Sequence, residues 1–153
     1  MDIERSQSLS RMYRLALYVA LAVLVALPVY VLIVEILKGR GIRLGPGLPA
    51  ATAHALRLGL YGVAVAAVLL LRLLRGMIIR KKPDESPDRL AQKLLQASIL
   101  TSALSEVPAV LGLVLYLAVG FYRDFYILLI VSLFLMFMFF PRYRDWTSWA
   151  GEP

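Results

Sequence analysis

Glu106 is a single carboxylate inside a long apolar stretch, in the run Ala103-Leu104-Ser105-Glu106-Val107-Pro108-Ala109-Val110-Leu111-Gly112-Leu113-Val114. A charged side chain at the centre of a membrane helix costs roughly 2.5–3.5 kcal/mol on insertion scales, so its retention calls for a reason. Two chemistries fit. A carboxyl that can be neutral or charged at that depth is the working part of a proton or ion relay, and a permanently neutral one is hydrogen-bonding glue between helices. Ser102, one turn before it, and Ser105, its immediate neighbour, offer hydroxyls that could hydrate or hydrogen-bond the carboxyl. Pro108, two residues on, removes a backbone donor and loosens the helix beside the site.

The same stretch carries a second pattern. Ser98, Thr101, Ser102, Ser105, Ala109 and Gly112 recur at three- and four-residue steps, one polar-to-small stripe of a helix. Such a stripe faces protein rather than lipid. Ala55, Gly59, Gly62 and Ala66 form a similar face elsewhere in the chain, where another backbone can approach closely. Helix packing is the expected role of Gly59, Gly62, Ser98, Ala109 and Gly112.

The elements that must position these residues are membrane helices. Apolar residues make up 60% of the 153, the mean hydropathy is +0.74, and they fall in blocks rather than on scattered faces. The reading is an all-α, polytopic membrane protein, a single membrane domain over residues 1–153 with four transmembrane helices in two hairpins. The spans are about 15–37, 53–74, 94–119 and 122–140. The first follows a short Arg-bearing N-terminus, is too long for a signal peptide and lacks a suitable cleavage site, so it reads as an uncleaved helix. The connection from Lys38 to Ala50 holds four glycines and two prolines and must turn. Ser86-Pro87-Asp88 supplies a hydroxyl cap, a proline at the first helical position and an acid in the first turn, so the third helix starts in water. From Leu94 to Glu106 is about 18 Å of helix, which places the carboxyl near the middle of a core roughly 30 Å thick.

That segment resembles the second helix of the proteolipid c subunit of rotary ATP synthases. In that family a proline-containing polar loop is followed by a run ending in Ala-Leu-x-Glu-Ala-x-x-Ile-x-Gly-Leu-Val. The likeness covers about residues 87–116, from Pro87-Asp88-Arg89-Leu90 through Ala103-Leu104-Ser105-Glu106 to Gly112-Leu113-Val114. It implies that Glu106 is an ion-carrying carboxylate, with the Ser102 hydroxyl assisting. The first and fourth spans lie outside it.

Charge sets the expected orientation. Of the 17 Lys and Arg residues, twelve fall in the N-terminus, around the second loop from Arg72 to Lys93 and in the C-terminal tail, and five on the other side. Both termini and the 75–93 loop are therefore expected in the cytoplasm, and the protein in a plasma membrane, a prokaryotic inner membrane by type. The formal charge of +7 reads as topology signal and anionic-lipid contact, not nucleic-acid binding. Arg80, Lys81 and Lys82 are expected at lipid headgroups, and so are Trp146 and Trp149 of the interfacial aromatic tail 141–153. Arg57 and Arg72 are expected to snorkel, and Glu35 to meet Lys38 and Arg40 at the far headgroup layer.

The absence of cysteine excludes disulfides, thiolate metal sites and cysteine nucleophiles. His54, the one histidine, lacks further ligands in the sequence for zinc or haem. With no phosphate loop, nucleophile triad or metal motif, the chain is expected to be neither an enzyme nor a cofactor carrier. Two functions remain: a structural or accessory subunit of a membrane assembly, homo-oligomeric or joined to other membrane subunits, or an ion-handling subunit using Glu106.

Overall fold

The structure is a computed structural model and describes residues 2–42, 45, 48–78 and 87–141. It is helical, with α1 over Asp2–Gly39, α2 over Ala50–Ile78, α3 over Pro87–Val119 and α4 over Tyr122–Phe139. Each contains a segment long and apolar enough to cross a membrane: Ser10–Gly39, Ala50–Leu74, Gln92–Val119 and Tyr122–Phe139. The expected all-helical, four-span membrane architecture is present. The first helix is longer than its apolar block because the Arg-bearing N-terminus continues the same helix.

The connections follow from glycine. At the end of α1, Gly41 takes φ +65, its N–H donates to the Lys38 carbonyl at 3.0 Å, and the Ile42 N–H donates to the Leu37 carbonyl at 3.0 Å. This paired closure of a helix C-terminus needs a left-handed residue, which glycine adopts without strain. Gly120, at φ +82, ends α3 in the single-bond version, donating to the Tyr116 carbonyl at 2.7 Å. The chain then re-enters a helix at Tyr122, so α3 and α4 form a tight hairpin.

Consecutive helices are antiparallel, but the packing is centred on α3. Helices α1, α2 and α4 each pack along α3, and α1 also touches α4, whereas α1 and α2 do not pair along their lengths. The connectivity is that of two hairpins, and the second hairpin supplies the shared wall for the first. Small residues explain why α3 can serve three neighbours. Ala97 and Ala109 are buried, as are Thr101, Ser102 and Ser105. At Gly112 a β-carbon would lie 3.1 Å from Leu128 Cβ and 3.2 Å from the Phe125 backbone, so α3 and α4 meet there almost backbone to backbone. On α1, Ala20, Leu27 and Val34 are buried at seven-residue steps, the repeat of near-parallel helix packing. Ala20 and Leu27 join Ala109 and Met136 in one apolar cluster.

Candidate functional site

The α1–α3 contact positions the carboxyl. Tyr30 lies three residues after the buried Leu27, on the side of α1 that packs against the Ala109 cluster, and its phenol donates to Glu106 Oε1. Both side chains are half-buried. The serines nearby are occupied otherwise. Ser105 Oγ donates to the Thr101 carbonyl at 2.6 Å, and Thr101 Oγ1 lies 2.8 Å from the Ala97 carbonyl and 3.0 Å from that of Ser98. Ser102 is 6% exposed and its hydroxyl makes no hydrogen bond among the described residues. It lines a narrow gap, too small for a water, with Ala20, Ser105, Met136, Phe140 and Pro141. Thus the partner of Glu106 is a phenol from another helix, not Ser102 or Ser105.

Pro108 acts beside this pair. A proline in a helix frees backbone groups in the preceding turn. Here the neighbouring Ala109 N–H donates to Ser132 Oγ of α4 at 2.7 Å, with Pro108 and Ser132 both fully buried. The helix continues through the proline because a neighbour's hydroxyl satisfies the backbone.

A second polar group forms where α1 ends, α2 begins, α3 ends and α4 begins. Tyr122 and Tyr126, one turn apart on α4, each donate to Glu35 Oε1 at 2.6 Å. Lys38 Nζ lies 3.6 Å from the centroid of the Tyr122 ring, so its ammonium is held by the ring face rather than by Glu35. The Tyr116 hydroxyl reaches the Val34 carbonyl at 3.4 Å. On the other flank Asp124, 5% exposed, accepts Tyr61 at 2.8 Å and Arg57 Nε at 3.1 Å, with Arg57 Nη2 at 2.8 Å. Arg57 is therefore not simply a snorkelling side chain. It ties α2 to α4, with 42% of its side chain exposed.

Among the expected packing positions, Ala109 and Gly112 are buried in the bundle and Ser98 is half-buried. Gly59 and Gly62 are not used within the chain. Both are exposed and a β-carbon at either would meet nothing within 4 Å, and Ala55 and Ala66 of the same face are exposed too. The buried face of α2 is instead Ala53, Ala64, Ala67 and Leu71. His54 is exposed, and no group of three metal-ligating side chains occurs among the described residues. Arg80, Lys81, Lys82, Trp146 and Trp149 lie outside the described residues.

The sequence reading missed Tyr30, Tyr122, Tyr126 and the Arg57–Asp124 pair. A signal existed: tyrosines within apolar spans carry a hydroxyl that must find a partner, and Arg57 and Asp124 both lie near the N-terminal ends of α2 and α4, which run in the same direction. In comparisons with family models, characterised proteins and solved structures, nothing matches this chain.

Proposed function

We propose that the protein is a structural or accessory subunit of a membrane assembly, joined to a second copy or to another membrane subunit through the small-residue face of α2. One observation carries this reading. The face made by Ala55, Gly59, Gly62 and Ala66 is open, while Glu106, Glu35 and Asp124 are each hydrogen-bonded to another helix of the same chain. Polar groups used as interhelical bonds hold a bundle together, and a face of small residues lets a further helix approach closely. Only 11% of the apolar window of α2 is buried, against 33% for α3, so α2 has the most surface left for a neighbour or for lipid. In this reading the twelve basic residues of the termini and of the stretch from Arg72 to Lys93 place that side in the cytoplasm of a prokaryotic inner membrane.

The test is association within membranes for the wild type and for Gly59→Leu/Gly62→Leu, followed by cross-linking and single-molecule photobleaching. The wild type is expected to associate and the variant to be released as an intact folded bundle. A wild-type chain that stays alone in its native membrane, or association untouched by the double substitution, contradicts the reading.

A second reading makes Glu106 an ion-handling carboxyl, as the resemblance to the proteolipid implies. It is supported by the phenol on Glu106 and by Ser102, buried without a partner among the described residues in the gap towards Phe140 and Pro141. Labelling with a hydrophobic carbodiimide in membranes separates the two. Labelling of Glu106 that falls as pH rises, lost in Glu106→Gln, supports ion handling. No labelling at any pH, with the Gln variant assembling normally, supports the structural role.

A further inference from the structure

The Glu35 end of the bundle carries more than helix-to-helix bonds. Two opposite charges straddle one aromatic ring there. Both tyrosine hydroxyls donate to Oε1 of Glu35, so Oε2 has no hydrogen-bond partner among the described residues and the side chain is exposed. Lys38, one turn later and also exposed, rests on the Tyr122 ring and forms no ion pair with Glu35. Directly beside them opens a cavity of about 610 Å³, within the size range of small-molecule sites. Lys38 and Tyr122 form part of its wall, and Leu37, Ile42, Leu48 and Leu117 make the rest largely apolar. Gly45 lies close against the end of α3, where a side chain would run into the Ala118 carbonyl.

We propose that this site binds a membrane phospholipid whose headgroup carries both a phosphate and a primary ammonium, an ethanolamine phospholipid by type. The position follows from the bundle, since the ends of four membrane-spanning helices meet here, at the level of headgroups and their first methylenes. The Lys38 ammonium faces the phosphate, Oε2 of Glu35 accepts from the lipid ammonium, and the upper acyl chain enters the apolar cavity. A purely anionic lipid would set its phosphate on Lys38 but leave a carboxylate beside it unmatched. A quaternary ammonium has no N–H for Oε2, and the Tyr122 face that could hold it is already covered by Lys38.

The experiment exchanges purified full-length protein in detergent into equimolar ethanolamine, glycerol and choline phospholipids of matched chains, and quantifies the retained lipid by mass spectrometry. The ethanolamine lipid is expected to be enriched about threefold over each of the others, the scale of one exposed charge pair. Glu35→Gln should abolish the preference over the glycerol lipid, and Lys38→Gln should reduce retention of all three. Ile42→Trp, which leaves both charges in place and fills the cavity, should also reduce retention and keeps the test decisive if a charge variant fails to fold. Equal retention of the three lipids, an excess of the glycerol or choline lipid, or a preference unchanged in folded Glu35→Gln would overturn the proposal.

Discussion

At Glu106 the question is what a carboxyl gains by meeting a phenol inside a membrane. The Tyr30 hydroxyl supplies a donor from α1, and interhelical hydrogen bonds of this kind contribute about 0.6 kcal/mol on average and up to about 1.7. Tyr30→Phe is therefore expected to lower bundle stability by about 1 kcal/mol in reversible unfolding in bicelles. Glu106→Gln, which keeps an acceptor, should change it less. A double variant Tyr30→Phe/Glu106→Leu should recover part of the loss, because removing both partners leaves no buried group unpaired. Arg57 and Asp124 invite an asymmetric prediction. The Asp124 side chain is 7% exposed and that of Arg57 42%, so the two do not lose equally when parted. Arg57→Ala strands a buried carboxylate with only Tyr61 and is expected to destabilise by on the order of 2 kcal/mol, discounted for the partial exposure of the pair. Asp124→Asn frees an arginine that can reach water and should have a smaller effect in the same assay. Equal losses would mean that the pair behaves as a surface ion pair.

The two small-residue stripes separate what periodicity can tell from what it cannot. Both were legible in the sequence as faces, at Ser98 to Gly112 and at Ala55 to Ala66. Which of them packs against this chain was not, because a 3.6-residue period records that a face is small and says nothing about what covers it. The structure buries the first and leaves the second open. Opposite responses to the same substitution follow. Gly112→Ala places a methyl group 3.2 Å from the backbone of Phe125, which cannot swing aside, so a loss of about 1–3 kcal/mol is expected. Gly62→Ala meets nothing within 4 Å and removes a poor helix former, so it should leave the isolated bundle as stable or more so by up to about 1 kcal/mol. Thermal unfolding of the two variants in one detergent checks both signs. The spans and the turn at Gly41 were readable because apolar length and glycine content act locally. The tyrosine–carboxylate bonds were not, since Tyr30 and Glu106 are 76 residues apart and meet only because α1 chooses α3 as its neighbour.

Across the whole molecule, polar chemistry is distributed unevenly between the two ends of the bundle. The Glu35 and Asp124 groups tie α1 and α2 to α4 at one end, while α3 is held to α1 by Tyr116. The opposite end carries the basic 75–93 loop and both termini, which together with Arg72 hold twelve of the 17 Lys and Arg residues. The side with more Lys and Arg in its short loops and termini is the one retained in the cytoplasm. The proposed orientation therefore places Glu35 and Lys38 outside and residues 80–82 inside. Because the chain has no cysteine, single substitutions report sidedness without background. Arg40→Cys is expected to react with a membrane-impermeant maleimide in intact cells, and Lys82→Cys only after the membrane is opened. The four antiparallel spans couple these outcomes, since two connections on opposite sides of the bundle cannot both be external in one topology. Reaction of Lys82→Cys in intact cells, with Arg40→Cys protected, would invert the orientation. It would also turn the Glu35–Lys38 site to the inner leaflet, where the same lipid exchange would have to be interpreted against a different supply of lipid.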